Sequence, residues 1–411
     1  MNCHFRQILF CTTIILMLTM AVQASSAAVT ADGPEALWIK EYPAEEIEIL
    51  SVCESSEGGY YAAGSGPGGR LVMKLDEDGT TLWEKNVRGG NNETGSIKLV
   101  MESSAGGLLL FADGENLVKT TGEADFEWEF HQPSGMVYSV EAAPDGSGVL
   151  AGTYFQGFLT DVSPDGTEAW NRTFGSPDGG GQYALRSIQN DPGGGFIIAG
   201  YINPILMLTD YRGFLMRTDD EGDKIWARQY SGNASGMLVS VACRPEGGYA
   251  ATRLQTFAGE DNSTLMIPSV IFTDAGGEMS HVVYYDDSVS YLYYITNAGN
   301  GGYYMSGLMI TESLKDDEYK ILRTGSSGKL LWEKTLGDLK LKSFDVTSDG
   351  GFIIAASSPG EETSYLIKYA KDNASEQAAG FGMFTAFGAI AGAGICAVLW
   401  RRSKYSPDKP E

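Results

Sequence analysis

The sequence is poor in the residues that build most catalytic and metal sites. Its 411 residues include 3 histidines and 5 cysteines. Cys3, Cys11 and Cys396 lie in apolar segments near the two ends, so only Cys53 and Cys243 remain in the polar part of the chain. A zinc site or a His-based catalytic triad is hard to assemble from so few residues. Exported folds that depend on disulfides contain more cysteines.

Cations are also scarce. The chain has 29 Lys and Arg against 53 Asp and Glu, which gives a formal charge of −24. Once the cationic ends are set aside, the part between them carries −27. Such a surface repels phosphate backbones, so we expect no nucleic-acid partner, whereas cations and neutral glycans remain open as ligands.

Long apolar runs occur only at the two ends. Arg6 precedes an apolar run from Ile8 to Val22, and the small residues AVQASSAA follow. This order predicts a signal peptide over residues 1–28, and cleavage after Ala24 or Ala28 fits it equally well. A retained membrane anchor is the alternative, although the run is shorter than the ~20 residues that a membrane span needs.

The C-terminal run covers residues 380–400, which are free of charge, and the basic motif RRSK follows at once. This pattern predicts a transmembrane helix over 380–400, with a cytoplasmic tail over 401–411. The part between signal and helix then lies outside the cell, including a short linker over 372–379. A buried helix of a soluble protein is the alternative.

The same tail begins with AGF and ends in a basic cluster. In this it resembles the sorting tails of archaeal surface proteins known as the PGF-CTERM type. The resemblance implies that the tail is removed and replaced by a lipid anchor. Ala379 stands where that family has Pro, and nine residues follow Arg402. We therefore expect a plain membrane anchor.

One segment recurs seven times between the ends, at spacings of 40 to 54 residues. Each copy is a short apolar run, a Gly-containing break and a second apolar run, which reads as strand, turn, strand. The copies are ILSVCESSEGG at 49, IKLVMESSAGG at 97, VYSVEAAPDGSG at 137, LRSIQNDPGGG at 185, LVSVACRPEGG at 238, LYYITNAGNGG at 292 and LKSFDVTSDGG at 341.

A second hairpin follows each of the first six copies and adds two strands to the unit. In four of them a tryptophan comes four residues after the turn glycine: Trp83, Trp170, Trp226 and Trp332. Two copies are degenerate, with Phe126 at that distance after Gly122 and Trp128 two residues further, and with His281 after Gly277. We expect the tryptophans to fill the wedges between neighbouring units.

Four short strands per unit, repeated seven times, predict an all-β fold. It is a seven-bladed β-propeller of four-stranded blades over residues 29–371, plus the C-terminal helix. The last copy lacks a fourth strand, whereas EALWIKEY, which contains Trp38, precedes the first copy as an extra strand. We expect Trp38 and its neighbours to pair with SYLIKY at 364, because this closure removes exposed sheet edges.

The strand and Trp pattern over residues 36–370 is similar to the PQQ-like propeller repeat. That family includes quinoprotein dehydrogenases and cofactor-free scaffolds. A quinoprotein dehydrogenase would hold its cofactor over a disulfide between adjacent cysteines, together with Ca²⁺. This chain has no adjacent cysteine pair. Cys53 and Cys243 belong to the first and fifth copies, so we expect free thiols and no cofactor.

The Asp-rich turns LDEDG (75–79) and DDEGD (219–223) are candidate Ca²⁺ sites, since clustered carboxylates supply hard oxygen ligands. Neither has the distal Glu of an EF-hand, and a hairpin needs Asp and Gly in any case. We expect turns and no bound metal. Five Asn-x-Ser/Thr sequons permit surface glycosylation: Asn92, Asn171, Asn233, Asn262 and Asn373.

The sequence contains no recognisable catalytic constellation. We expect a non-enzymatic cell-surface protein, a binding or envelope scaffold whose partner is a glycan or an envelope protein. The alternative is an extracellular enzyme that acts on glycans or peptides through carboxylates on the propeller face. The longest and most variable connections favour recognition, and their candidate ligand-binding residues are Tyr201, Tyr211, Arg212, Arg253 and Phe257.

Overall fold

The computed structural model describes ten stretches of the chain, and their regular structure consists of β-strands. They comprise residues 33–88, 95–154, 156–175, 181–203, 211–230, 235–258, 264–285, 288–299, 301–310 and 317–374. The predicted signal peptide, transmembrane helix and cytoplasmic tail lie outside these residues. Within them every regular element is a β-strand, and no helix there is long and apolar enough to cross a membrane.

The 28 strands of the described residues form antiparallel meanders of four strands each. The chain begins with β1 (Ala36–Pro43). Meander 1 is β2 (Glu48–Glu54), β3 (Tyr60–Gly66), β4 (Gly69–Leu75) and β5 (Thr81–Asn86). Meander 2 is β6 (Ile97–Glu102), β7 (Leu108–Ala112), β8 (Asn116–Thr120) and β9 (Phe126–His131). Meander 3 is β10 (Met136–Ala142), β11 (Gly148–Tyr154), β12 (Gln156–Val162) and β13 (Glu168–Phe174).

The second half continues the same pattern. Meander 4 is β14 (Gln182–Asn190), β15 (Phe196–Asn203), β16 (Arg212–Thr218) and β17 (Lys224–Gln229). Meander 5 is β18 (Ser235–Cys243), β19 (Tyr249–Ala258), β20 (Thr264–Thr273) and β21 (Met279–Tyr284). Meander 6 is β22 (Tyr291–Asn297), β23 (Tyr303–Met309), β24 (Glu318–Thr324) and β25 (Leu330–Thr335). Meander 7 is β26 (Lys340–Val346), β27 (Phe352–Ser357), β28 (Thr363–Tyr369) and the returning β1.

The predicted division into seven separate four-stranded blades was wrong. Five four-stranded sheets stand alone, whereas β14 to β21 form one eight-stranded sheet. Strands β16 and β18 are joined by a short parallel contact between Arg212 and Gly236. Beside it, the backbone N–H of Gly236 donates to the carbonyl of Tyr211 at 2.8 Å. A single contact between distant strands has no signature in a local repeat, which is why the sequence did not reveal it.

The first strand of the chain closes the last sheet. β1 pairs antiparallel with β28, and Trp38 lies opposite Lys368. The resulting order is β1, β28, β27, β26. The predicted closure by the strand that contains Trp38 is confirmed.

Tryptophans fill the wedges between consecutive meanders, as predicted. The indole rings pack against clusters of buried hydrophobic residues from their own meander and the next one. Four of them, Trp38, Trp128, Trp170 and Trp226, also approach the turn glycine between the third and fourth strands of the following unit. At Gly222, whose φ is +75°, an added Cβ would lie 2.5 Å from the Trp170 ring. Glycine is therefore required at this turn for two reasons: it adopts the left-handed backbone without strain, and it lets the indole come close.

Meander 2 is not degenerate, contrary to the prediction from the sequence. Trp128 lies opposite Lys119, just as Trp83 lies opposite Lys74, so Trp128 occupies the regular tryptophan position. The sequence analysis counted from Gly122 and so missed this position. The residue at the turn position of the glycine is Ala124, with a φ of +59°. In meander 5 the same position does belong to His281. Its ring stacks on Phe272 at 4.4 Å, which supports a structural role.

Candidate functional site: the central cavity

The first strands of all seven meanders surround a cavity of about 890 Å³. These strands are β2, β6, β10, β14, β18, β22 and β26, and residues of β23 and β24 also contribute. The size falls in the range of small-molecule sites, about 300 to 1,000 Å³. The strands run antiparallel within each meander, so first strands begin, and second strands end, at the same side of the ring. We call this side the loop end and the opposite side, with the Gly turns, the turn end.

A set of serines ties neighbouring first strands together around the cavity. Each occupies the third position of its repeat, and its hydroxyl oxygen accepts a hydrogen bond from a backbone N–H in the next meander. The pairs are Ser343 with Val52 (3.3 Å), Ser51 with Val100 (3.1 Å), Ser139 with Ile188 (3.3 Å), Ser187 with Val241 (3.4 Å) and Ser240 with Ile295 (3.3 Å). Leu99 and Tyr294 stand at this position in meanders 2 and 6.

Two carboxylates in the cavity wall serve the same purpose. Glu141 accepts hydrogen bonds from the backbone N–H of Asn190 at 3.2 Å and from its side-chain amide at 2.6 Å. Asp345 accepts from the backbone N–H of Glu54 at 2.8 Å. Burial raises the pKa of Glu141 to about 7 and that of Asp345 to about 6, because desolvation outweighs these hydrogen bonds.

An arginine and three tyrosines meet at the loop end of meanders 3 and 4. The guanidinium of Arg186 lies 4.2 Å from the centre of the Tyr138 ring, and both residues line the cavity. Tyr201, at the end of β15, packs edge to face with Tyr211 at 5.2 Å. Burial raises the pKa of Tyr201, and the charges of Tyr138 and Arg186 also act on its hydroxyl. The four side chains therefore form one neighbourhood.

A second aromatic group lies across the ring in meander 6. The rings of Tyr291 and Tyr293 stack at 6.1 Å. Tyr293 and Tyr294 are 44% and 38% exposed although both line the cavity wall. Tyr319, at the start of β24, lines the same cavity and influences the Tyr293 hydroxyl. The cavity thus has aromatic surfaces on two sides.

Comparison with solved structures settles the fold. The WD40 repeats of RRP9 align at a TM-score of 0.55 with 9% identity, over 82% of this chain and 99% of that one. The WD40 β-propeller domain of Doa1 aligns at 0.54 with 14% identity, over 82% and 97%. The Dos1 propeller aligns at 0.53 with 11% identity, over 84% and 98%. The fold is a β-propeller.

At these identities the likeness is one of fold alone. No protein-family model matches the chain, and no curated protein matches its sequence. The similarity to the PQQ-like repeat and to the PGF-CTERM tail therefore stays a prediction.

The propeller divides the predicted ligand-binding residues into two groups. Tyr201, Tyr211 and Arg212 lie at the loop end, where Tyr201 and Tyr211 adjoin the cavity residues Tyr138 and Arg186. Arg212 is exposed at the start of β16. Residues 204–210, the centre of that predicted loop, lie outside the described residues.

The other two residues belong to strands rather than to a loop. β19 extends to Ala258, so the prediction of a loop from 253 onward was wrong. Arg253 is 7% exposed and donates from Nε to Ser269 Oγ at 3.1 Å and from Nη1 to the carbonyl of Tyr230 at 3.4 Å. Phe257 also lies in β19, and its side chain is outside the described part. Binding by either residue stays a prediction.

The remaining candidate residues have plain structural surroundings where the structure describes them. Cys53 and Cys243 are free thiols. Asp76 Oδ1 accepts from the N–H groups of Asp78 (3.1 Å) and Thr80 (2.7 Å), and Asp219 closes the equivalent turn. No group of three or more His, Cys, Asp or Glu within the described ranges is placed to hold a metal.

Two of the five sequons fall in described segments. Asn171 is exposed in β13, where its side-chain amide donates to Thr160 Oγ1 at 2.7 Å. Asn373 is exposed next to the buried Asp372. Asn92, Asn233 and Asn262 lie outside the described residues, and glycosylation of all five stays a prediction.

Sequence reasoning missed the cavity residues because they lie inside the repeat and not in the variable connections. Tyr138, Arg186 and Tyr293 all occupy the second position of their copies, where each first strand has a register shift against the second strand. Such a bulge redirects a side chain. The available signal was that the second position varies among the seven copies, whereas the first and fourth positions are apolar in all of them.

Proposed function

We propose that the protein is a non-enzymatic cell-surface propeller that binds a glycan or an envelope protein through its loop end. The observation that carries the proposal is the group of aromatic and cationic side chains around the cavity at that end. Tyrosine and arginine concentrate binding energy in recognition surfaces because each combines a large apolar area with hydrogen-bonding groups. The cell-surface location rests on the predicted signal peptide and transmembrane helix.

The frame beneath this group supports a binding role. Serine hydroxyls link most neighbouring first strands, and β1 closes the last sheet. Side chains held on such a closed frame lose little conformational entropy when a ligand arrives. A rigid ring that presents tyrosines suits recognition better than it suits a reaction that needs moving parts.

A binding screen tests the proposal directly. The purified full chain is offered to a glycan array and to envelope proteins, with and without Ca²⁺. We expect a ligand whose binding falls at least tenfold in Tyr293→Ala and is unchanged in Leu82→Ala, because Leu82 is 60% exposed on the outer strand β5. Absence of any ligand, or equal loss in both variants, would contradict the proposal.

One observation favours the alternative of an extracellular enzyme acting on glycans or peptides. The raised pKa values of Glu141 and Asp345 are of the kind that acid catalysts have. Both carboxylates, however, already accept hydrogen bonds from the neighbouring meander. If a bound glycan or peptide is cleaved, and if Glu141→Gln or Asp345→Asn stops the cleavage without loss of binding, the protein is an enzyme.

A further inference from the structure

Arg186 has an unusual position for a cation in so acidic a protein. Its guanidinium carbon lies over the Tyr138 ring, 4.2 Å from the ring centre, and it forms no ion pair or hydrogen bond with any other described residue. A guanidinium that stacks through its flat face keeps the N–H donors along its edge available. Those donors match the two oxygens of a carboxylate in a bidentate pair.

None of the seven copies has an acid at the second position, which is the position of Arg186 in its own copy. The second positions of the seven copies hold Leu50, Lys98, Tyr138, Arg186, Val239, Tyr293 and Lys342. Two of these three cations are already neutralised, Lys98 by Asp113 at 3.0 Å and Lys342 by Glu361 at 3.1 Å. Arg186 is thus the cation of this level that has no carboxylate partner in the described structure.

The hydrogen bonding of the first strands favours a sugar over a peptide as the ligand. A peptide that binds by strand addition needs a free sheet edge. The first strands pair with their second strands along one edge, and serine hydroxyls or carboxylates occupy N–H groups along the other. What the cavity offers instead at this level is the side chain of Tyr293, which is 44% exposed, together with that of Tyr138. Ring faces and hydroxyls of this kind suit the C–H and O–H groups of a pyranose.

We propose that the loop end of the cavity binds a sugar that carries a carboxylate, such as a uronic acid residue within an oligosaccharide. Arg186 donates to the carboxylate, while Tyr138 holds the guanidinium and Tyr293 contacts the sugar ring. This inference rests on the proposed binding function and adds the chemical class of the ligand. The charge of −24 repels anions at long range, but ions screen that repulsion over about 8 Å at 0.15 M salt.

The first test compares two ligands on the unmodified full chain. An oligogalacturonate and the oligogalactose of the same length and linkage differ only in the carboxylate. Isothermal titration at 0.15 M NaCl should give a dissociation constant about 10- to 100-fold lower for the oligogalacturonate, because a charge-assisted hydrogen-bonded pair contributes on that scale. Equal affinities for the two ligands would overturn the proposal.

The second test uses variants at Arg186. Arg186→Met should lose the 10- to 100-fold preference, and Arg186→Lys should keep part of it, since a lysine retains the charge but not the fork. Lys329→Met is the matched control because it removes an exposed cation at the turn end. Thermal melts check the folding of each variant. Retention of the preference in a folded Arg186→Met protein would also overturn the proposal.

Different results would contradict the binding function and the carboxylated-sugar proposal. If neither oligosaccharide binds but the screen finds an envelope protein or a neutral glycan, the carboxylated-sugar proposal is wrong and the binding function stands. If no ligand of any kind is found, both are wrong.

Discussion

Trp38 lies opposite Lys368, and this pair joins the first strand of the propeller to its last. The indole also packs between meanders 7 and 1, and its N–H donates to the carbonyl of Glu77 at 2.9 Å. The ring of sheets is therefore closed by hydrogen bonds and by a packed aromatic residue at one junction.

Deletion of residues 29–45 should lower the melting temperature markedly, because it removes β1 and exposes the edge of β28. Trp38→Ala alone should cost about 3 to 5 kcal/mol, which corresponds to a shift of roughly 5 °C or more. Differential scanning calorimetry measures both. The matched control is Leu37→Ala, since Leu37 belongs to the same strand but is 60% exposed. An unchanged melt in the deletion variant would show that β1 does not stabilise the ring.

Two turn glycines allow the cost of backbone strain to be measured separately from the cost of steric crowding by a tryptophan. Gly222→Ala places a Cβ 2.5 Å from Trp170 at a φ of +75°, whereas Gly106→Ala, at a φ of +85°, meets nothing within 4 Å. Both variants have the cost of a left-handed alanine, about 1 to 2 kcal/mol. We expect Gly222→Ala to lose at least about 1 kcal/mol more in urea denaturation, through overpacking. Equal losses would mean that the indole moves aside freely.

The cavity carboxylates should make stability depend on pH. Burial raises the pKa of Glu141 from 4.5 to about 7 and that of Asp345 from 3.8 to about 6. The folded state therefore binds more protons than the unfolded state between about pH 4 and 7, and the free energy of unfolding falls as the pH rises through this window.

Glu141→Gln keeps an oxygen acceptor for Asn190 and removes the ionisable group. We expect it to flatten the decline between pH 5 and 7 and to raise stability at pH 8 by about 1 to 3 kcal/mol relative to the parent. Urea titrations across the pH range give the comparison, with the exposed Glu168→Gln as control. A parallel decline in Glu141→Gln and its parent would contradict the assignment.

Arg253 should behave as a structural residue. Its removal leaves the carbonyl of Tyr230 and the hydroxyl of Ser269 without their buried donor and opens a void. We expect Arg253→Ala to lose about 2 to 4 kcal/mol in chemical denaturation. The exposed Lys329→Ala should change stability by less than about 0.5 kcal/mol. An equal loss of stability in the two variants would contradict a structural role for Arg253.

Local patterns allowed much of the fold to be predicted. Short apolar runs and Gly turns are short-range features, so the repeated hairpins, the wedge tryptophans and the closing strand could all be found in the sequence. The pattern failed where a residue takes a role that its type rarely plays. Ala124 adopts the backbone of a glycine, and this shifted the expected tryptophan in meander 2.

The candidate site was only half predictable. Tyr201 and Tyr211 flank a long connection and could be singled out, but Tyr138 and Arg186 lie in a bulged strand whose direction no repeat pattern reveals. Arg253 was misplaced because β19 and β20 continue as a long hairpin beyond the repeat. The contact that joins β16 to β18 arises only when distant strands meet.

Closure by β1 also decides how the domain would respond to mechanical load. Ala36 lies opposite Tyr369, and the N–H of Ala370 donates to the carbonyl of Glu35 at 3.0 Å, so both ends of the domain emerge side by side from one sheet. Tension between residues 33 and 374 would pull at the Ala36 end of this antiparallel ladder and open its pairs one after another, as in unzipping. The other meanders would feel little of that force until the ladder had opened.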